Sequence, residues 1–276
     1  MSSALSAFHF LSYAFIQRAY LAGSFIAALC AMLGLFLVLR RLSLIGDGLS
    51  HVSFGAIALG LFCGCYPFYV AIPVALIASY VILRLTEKAK MYGDAAIGIV
   101  SSIGIAGGVI LAGLSKGFNV DLFSYLFGNI LAINVREVYL SLGLSLAVLL
   151  LILLFYNDLF SATFDQEYAK LTGVKTGRID LLLTSLTAVT VVLAIKVVGI
   201  MLVSALLILP AVTALQVAKG FKAAMILSVA AAVLSVITGI TVSFFMDLPA
   251  GATIVMCNVA FFAAALAFKK LANLKL

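Results

Sequence analysis

The sequence predicts an all-α integral membrane protein, a polytopic bundle of eight or nine transmembrane helices. Of its 276 residues, 65% are hydrophobic and 10% are charged, whereas a soluble domain has about half apolar and a quarter charged residues. The apolar runs are continuous over about 20 residues, the length that an α-helix needs to cross a bilayer. A membrane β-barrel would show alternating segments of about ten residues. We expect one transmembrane domain over residues 1–276, since no linker or change in composition marks a second.

Charged residues and turns divide the apolar sequence into nine predicted spans. They are 19–39, a span that holds Asp47 and His51 and runs to about Cys65, 67–85, 94–114, 134–155, two spans within 181–217 divided near Lys196 and Gly199, 223–245 and 250–268. Residues 1–18 are predicted to form an interfacial helix, and residues 115–133 a re-entrant or interfacial helix. The fourth span carries Gly104 and Gly108 at the GxxxG spacing that permits close helix approach.

The basic residues predict how the helices are oriented. We place the loop that holds Arg40 and Arg41 in the cytoplasm. Four of the 17 Lys and Arg residues then lie outside: Arg18, Lys116, Arg136 and Lys196. This bias follows the positive-inside rule and predicts an outer N-terminus and a cytoplasmic C-terminus. It also accounts for the net charge of +7, because the basic residues stand at the ends of apolar runs and do not indicate a nucleic-acid partner.

Two ionisable residues stand inside the second predicted span. Asp47 and His51 are four residues apart, so they share one face of a helix. At about 1.5 Å per residue, His51 lies at most about 15 Å beyond Arg41, and Asp47 about 6 Å less deep, in or near a hydrocarbon core about 30 Å thick. An ionisable pair at this depth is costly and by default indicates a functional site. Carboxylate oxygen and imidazole nitrogen are also ligands for divalent transition metals.

One chain offers only two ligands at this position, whereas zinc usually takes four. A two-fold dimer with this helix at its axis would supply two Asp47 and two His51 side chains. The structural alternative is that Asp47 caps the helix and His51 hydrogen-bonds a neighbouring helix. Ser50 lies on the same face and could add a ligand, although small residues here also suit helix packing. The residues alone leave these interpretations open.

The longest polar stretch, residues 156–180, is predicted to connect two spans on the basic side. The run from Phe164 to Glu167 has the form of a capped helix start with acidic residues in its first turn. Gly173 is well placed to end that helix. A short surface helix of this kind suits docking of a soluble partner, and a plain connecting loop is the alternative.

Three motifs that would indicate an enzyme are absent from the sequence. It contains no G-x-x-x-x-G-K-[ST] phosphate loop, no H-E-x-x-H motif and no G-x-S-x-G motif. The chain therefore does not bind ATP by the first motif and shows no nucleophile or zinc site for intramembrane hydrolysis. We expect a transport protein, with any ATP hydrolysis on a separate subunit.

Four stretches of the sequence occur in the order of one known family. They are LGLFLVLRRLSLIGDGLSHVSFGAIALG at 33–60, DLFSYLFGNILAI at 121–133, DQEYAKLTGV at 165–174 and VGIMLVSALLILPAVTAL at 198–215. Together they resemble the permease subunits of ATP-binding-cassette importers for zinc and manganese, the ZnuB-like metal permeases. The resemblance covers nearly the whole chain.

This resemblance implies a homodimeric permease of the vitamin-B12-importer type in a bacterial cytoplasmic membrane. Two cytoplasmic ATPase subunits would dock on a coupling helix, and an extracellular or periplasmic binding protein would deliver the metal. Asp47 and His51 fall on the positions that line the family's metal path. The coupling helix falls on 165–174, with these candidate coupling residues: Asp165, Glu167, Ala169 and Gly173.

The resemblance also implies a transported metal ion and no permanently bound cofactor. The form GDGLSH at 46–51 is closer to the zinc branch than to the manganese branch, whose pattern is D-A-hydrophobic-S-H-A. Zinc is therefore expected, with manganese or iron as the alternative. Two other classes are a stand-alone secondary metal transporter and a structural membrane protein without a transport role. The former predicts inverted repeats, which the sequence does not show.

Overall fold

The computed structural model describes residues 13–114, 125, 126, 128 and 135–273. In these parts of the chain the elements are helical. In order they are α1 (Ala14–Leu39), α2 (Ile45–Phe62), α3 (Pro67–Lys88), α4 (Gly93–Leu114), α5 (Val135–Leu154), α6 (Tyr156–Phe164), α7 (Gln166–Leu171), α8 (Thr176–Val198), α9 (Val203–Val217), α10 (Phe221–Met246) and α11 (Ala250–Asn273). Eight of them, all except α6, α7 and α9, are long and apolar enough to cross a membrane. The predicted polytopic helical bundle is confirmed.

The long apolar stretch at 181–217 is divided near Gly199, as predicted. Gly199 ends α8 with φ 84°, a backbone conformation that glycine adopts without steric cost. A 3-10 turn over Ile200–Leu202 leads into α9. With 15 residues, α9 is about 22 Å long, so this second arm is shorter than the candidate spans. The fifth predicted span is one continuous helix, α5.

The structure differs from the sequence predictions in three places. Residues 14–18, predicted to be interfacial, form the first turns of α1, where Ile16 is fully buried. In the polar stretch 156–180 the predicted short helix is present as α7, and a second short helix, α6, was not predicted. α8 begins at Thr176, five residues before the predicted start, because Asp180 forms an ion pair with Arg40 and its charge does not end the helix. The interfacial prediction for 1–12 and most of the re-entrant prediction for 115–133 lie outside the described residues.

Contacts between distant residues bring the basic connections to one end of the bundle. Asp180, at the start of α8, pairs with Arg40 after α1. Leu39 of α1 packs in one apolar cluster with Leu215 of α9. Lys269 Nζ donates to Gln216 Oε1 over 3.1 Å, so the C-terminal part of α11 reaches the same end. This grouping is the one that the distribution of basic residues predicts.

α1 lies in the middle of the bundle and packs against α5, α8, α9 and α10. Its contact with α9 is very close at Gly34, where an added Cβ would lie 1.9 Å from the carbonyl oxygen of Leu207. α2 follows α1 through a short turn and packs mainly on α3 and α4, with further contacts to α8 and α9. The helix that carries Asp47 and His51 is therefore held on several sides.

Candidate metal path and coupling segment

A tight turn sets the start of α2. Arg41 adopts φ 58°, and two hydrogen bonds close the end of α1, from Leu42 N to Leu37 O (2.8 Å) and from Arg41 N to Val38 O (3.1 Å). This double-bonded pattern is a Schellman motif. Leu44 occupies the N-cap position of α2 without a side-chain hydrogen bond. The alternative in which Asp47 caps α2 is therefore wrong, since Asp47 is the third residue of the helix.

Asp47 and His51 face each other on one side of α2. His51 Nε2 lies 3.5 Å from Asp47 Oδ2. The side chain of Asp47 is 48% exposed and that of His51 26% exposed, so the pair lies at an open face of the single chain. Ionisable side chains in membrane segments almost always face a water-filled cavity or other protein groups, not lipid. The open face therefore fits a water-filled path or a partner subunit.

Ser204 is a member of this group that the sequence analysis did not identify. Its hydroxyl donates to Asp47 Oδ1 over 3.1 Å, although 157 positions separate the two residues. Ser204 is the second residue of α9, just after the 3-10 turn. It lies in the 198–215 stretch that carries the family resemblance, and it is the one polar residue in the run VGIMLVSALLILPA. A single polar side chain in an otherwise apolar run was the feature of the sequence that could have identified Ser204.

The two serines of α2 are used within their own helix. Ser50 Oγ donates to Asp47 O over 2.8 Å, and Ser53 Oγ donates to Leu49 O over 2.7 Å. Both residues are fully buried. The packing interpretation of Ser50 fits this arrangement better than a role as a metal ligand.

Glycines on α4 hold the backbone of α2 at the position of His51. A Cβ added at Gly104 would lie 2.5 Å from Val52 Cα and 2.9 Å from His51 O. One added at Gly108 would lie 2.6 Å from the ring of Phe54. The GxxxG spacing therefore marks a real helix contact, and α4 fixes where His51 stands.

The donor set at this face is small. In the ranges that the structure describes, no three His, Cys, Asp or Glu side chains come together in a way that could hold a metal ion. One carboxylate, one imidazole and the hydroxyl of Ser204 are what a single chain presents here. Carboxylate and imidazole accept zinc and manganese alike, so this donor set alone does not choose between them.

α7 has the local structure that its sequence predicts. Asp165 is its N-cap and accepts from Glu167 N (3.0 Å) and Tyr168 N (2.9 Å). Gly173 follows the helix with φ 89°. Bonds from Val174 N to Ala169 O (2.9 Å) and from Gly173 N to Lys170 O close a Schellman motif. Both ends of this six-residue helix are thus fixed by their own capping residues.

α7 presents apolar groups outward from the bundle end. Within α7, Ala169 is fully buried against the apolar core, whereas Tyr168 is 60% and Leu171 87% exposed. Glu167 is exposed beside them. Exposed apolar groups rimmed by polar residues are typical of surfaces that bind another protein.

A polar chain connects α7 to the turn before α2. Gln166 Nε2 lies 3.5 Å from Asp180 Oδ2, and the other carboxylate oxygen of Asp180 pairs with Arg40. The Arg40 side chain is only 7% exposed, and it stands in the short connection that leads to Asp47. These contacts therefore link the position of α7 to that of α2, the helix with the ionisable pair.

Comparisons with known proteins agree over almost the full chain. The model of the ABC 3 transport family matches residues 12–269. The manganese transport system membrane protein MntC of Halalkalibacterium halodurans is 34% identical, covering 94% of this chain and 88% of the relative. The high-affinity zinc uptake system membrane protein ZnuB of Haemophilus influenzae is 33% identical, covering 91% of this chain and 96% of the relative. A solved structure, PsaBC from Streptococcus pneumoniae in complex with Fab, matches with TM-score 0.83 and 33% identity, covering 92% of this chain and 91% of the other.

Proposed function

Because the chain belongs to the ABC 3 transport family, we propose that it is the membrane-spanning permease of an ATP-driven importer of divalent metal ions. The observation that carries the proposal is the Asp47–His51 pair with Ser204, a polar group at an open face of a membrane helix. The relatives named for manganese and for zinc transport support the same class of cargo. ATP hydrolysis would take place on a separate subunit.

The permease works as a homodimer in this proposal, with α2 near the two-fold axis. One chain supplies one carboxylate and one imidazole, and a symmetric pair would supply two of each, which matches the four ligands that zinc usually takes. The dimer also gives the half-exposed Asp47 side chain a surrounding other than lipid. The metal ion is cargo in this proposal. The carboxylates and imidazoles of the dimer would hold it during transport and release it when the dimer changes shape.

In this proposal α7 transmits the conformational change that ATP hydrolysis drives to the metal path. Two ATPase subunits would bind the exposed Tyr168 and Leu171, while Asp165 and Gly173 keep α7 folded and Ala169 anchors it to the bundle. Movement of α7 would pass through Gln166 and Asp180 to Arg40, and from there to α2. A metal-binding protein on the opposite face would deliver the cargo.

The proposed docking of the ATPases on α7 supports one orientation in the membrane. Its ATPase partners are cytoplasmic, so the bundle end with Arg40, Asp180 and Lys269 faces the cytoplasm. The N-terminus then lies outside and the C-terminus inside, in the cytoplasmic membrane of a bacterium. The basic residues favour the same arrangement.

Zinc is the proposed cargo and manganese the competing one. The sequence GDGLSH at 46–51 supports zinc by its likeness to the zinc branch, whereas the relatives include proteins named for each metal at similar identity. Uptake of radiolabelled zinc and manganese by metal-starved cells that express the whole transporter would separate the two.

The same uptake assay tests the transport mechanism. A variant of the ATPase subunit that binds but does not hydrolyse ATP should abolish uptake while the permease remains in the membrane. Uptake that continues with this ATPase would contradict the proposal and favour a secondary transporter. Uptake of manganese in preference to zinc would keep the importer class and replace the cargo.

A further inference from the structure

A cavity of about 610 Å³ lies at the α7 end of the bundle. It is formed by the last turns of α3, the chain that follows α7 and the first turns of α8. Four basic residues line it: Arg84, Lys170, Lys175 and Arg178. All four are exposed, and none of them has a carboxylate oxygen within 4.0 Å among the described residues. The cavity therefore concentrates positive charge that the protein itself does not pair.

One carboxylate, Glu87, also lines the cavity. Its Oε1 lies 4.0 Å from the position that a Cβ would take at Gly177, in the first turn of α8. A carboxylate near the start of a helix is stabilised by the helix dipole, so Glu87 already has a favourable place. Four cations against this single anion leave the cavity strongly positive.

Arg84 is held in a fixed orientation beside Tyr80. Its Nε donates to the Tyr80 hydroxyl over 2.7 Å, and its guanidinium carbon lies 5.0 Å from the centre of the Tyr80 ring. The two terminal amino groups of Arg84 have no hydrogen-bond partner in the part of the chain that the structure describes. A guanidinium in this state can bind two oxygens of one phosphate.

The wall of the cavity continues onto the surface of two candidate spans, α3 and α8. Tyr80, Leu83 and Leu181 form this apolar side, and Tyr80 is 42% exposed. Arg84 stands in the last turns of α3, Arg178 in the first turn of α8 and Lys175 just before α8, at the ends of the spans where lipid headgroups lie. Tyr168 and Leu171, the surface proposed above for the ATPase, do not line the cavity.

We propose that this cavity binds the phosphate headgroup of an anionic phospholipid, with the acyl chains along the apolar wall. Basic pockets between membrane helices on the cytoplasmic side are suited to such headgroups. The inference goes beyond metal transport and does not depend on which metal is carried. Because Lys170 and Gly173 border the cavity, a bound lipid would also brace the C-terminal end of α7.

Native mass spectrometry of the full-length permease in detergent tests this site, with phosphatidylglycerol and phosphatidylcholine as probes. Wild type should retain phosphatidylglycerol in preference. The double variant Lys175→Gln, Arg178→Gln should bind it on the order of 30-fold more weakly, since each cation near a lipid surface contributes about fivefold. Lys219→Gln, Lys222→Gln removes two exposed cations outside the cavity, and this control should bind like wild type.

Three outcomes would overturn the proposal. Equal binding of both lipids would show that the acyl chains alone are recognised. Inorganic phosphate that displaces phosphatidylglycerol at millimolar concentration, and loses its own binding in the double variant, would identify a site for free phosphate. Unchanged lipid binding together with weaker ATPase binding in the double variant would assign the cavity to the protein partner. Equal thermal midpoints for the two double variants would show that both are folded.

Discussion

The contact between Gly104 and the backbone of His51 gives a sharp test of how α2 is held. In Gly104→Ala, the new Cβ would stand 2.5 Å from Val52 Cα and 2.9 Å from both His51 O and Val52 N. Each of these atoms belongs to the helix backbone, so no side-chain rotation can relieve the overlap. α4 and α2 must separate by about 1 Å to reach the 3.4 Å at which ordinary contact begins.

This separation should cost about 1–3 kcal/mol of stability, the usual penalty for overpacking. It also displaces α2, with Asp47 and His51, relative to Ser204 of α9 by up to about 1 Å, a shift that commonly reduces the function of a site many-fold. We therefore expect a thermal midpoint lower by about 2–12 °C and zinc or manganese uptake reduced by roughly tenfold or more at matched membrane abundance.

Gly107→Ala is the matched control, because it lies on the same helix and an added Cβ there meets nothing within 4 Å. Alanine is a better helix former than glycine by about 1 kcal/mol, so this variant should be as stable as wild type or slightly more stable. If Gly104→Ala unfolds and transports like Gly107→Ala, the contact with α4 does not fix the position of His51.

Substitutions at three further positions test the polar contacts. Asp165→Ala removes the N-cap of α7 and should destabilise that helix by about 1 kcal/mol. A pull-down titration should then show weaker binding of the ATPase subunit. Asp165→Asn keeps a good N-cap, so this control variant should bind the ATPase nearly normally. Asp180→Asn leaves the buried Arg40 without its carboxylate and should lower the unfolding free energy by up to about 3–5 kcal/mol, measured by thermal unfolding, with less metal moved per ATP hydrolysed. Ser204→Ala removes a hydrogen bond to Asp47 worth about 1.5–3 kcal/mol and should lower metal uptake while the protein remains folded.

Each of these predictions has a result that would contradict it. Normal ATPase binding by Asp165→Ala would mean that α7 does not need its cap to dock. If Asp180→Asn leaves both the thermal midpoint and the amount of metal transported per ATP hydrolysed unchanged, the contacts of Asp180 do not couple α7 to α2. Uptake by Ser204→Ala equal to wild type would make its contact with Asp47 incidental.

The sequence predicted the features that depend on local patterns. Apolar runs of helical length located the spans, and the break at Gly199 was visible because the helix pattern ends at a glycine. The spacing of Asp47 and His51 placed them on one face of α2. The caps of α7 were also predictable, since Asp165 and Gly173 are residue types that begin and end helices.

The features that were not predicted depend on contacts between distant residues. Asp180 looked like a residue outside a span, but its pairing with Arg40, 140 positions away, allows α8 to begin earlier. Ser204 reaches Asp47 from another helix, and no local period shows that contact. The early start of α1 has the same origin, because Ile16 is buried by packing and the Tyr20 hydroxyl meets Thr241 Oγ1 at 2.6 Å.

In the proposed mechanism the transported metal passes Asp47 and His51. The most direct test compares metal uptake by wild type, His51→Ala and Ser53→Ala at matched membrane abundance. Ser53 lies on the same helix but bonds only the backbone of Leu49, so its variant controls for changes in α2 itself. We predict that uptake falls at least about tenfold in His51→Ala, since a lost metal ligand or its supporting group commonly costs 10–100-fold, and stays near wild type in Ser53→Ala. Wild-type uptake by His51→Ala would show that the histidine is structural and would contradict the account.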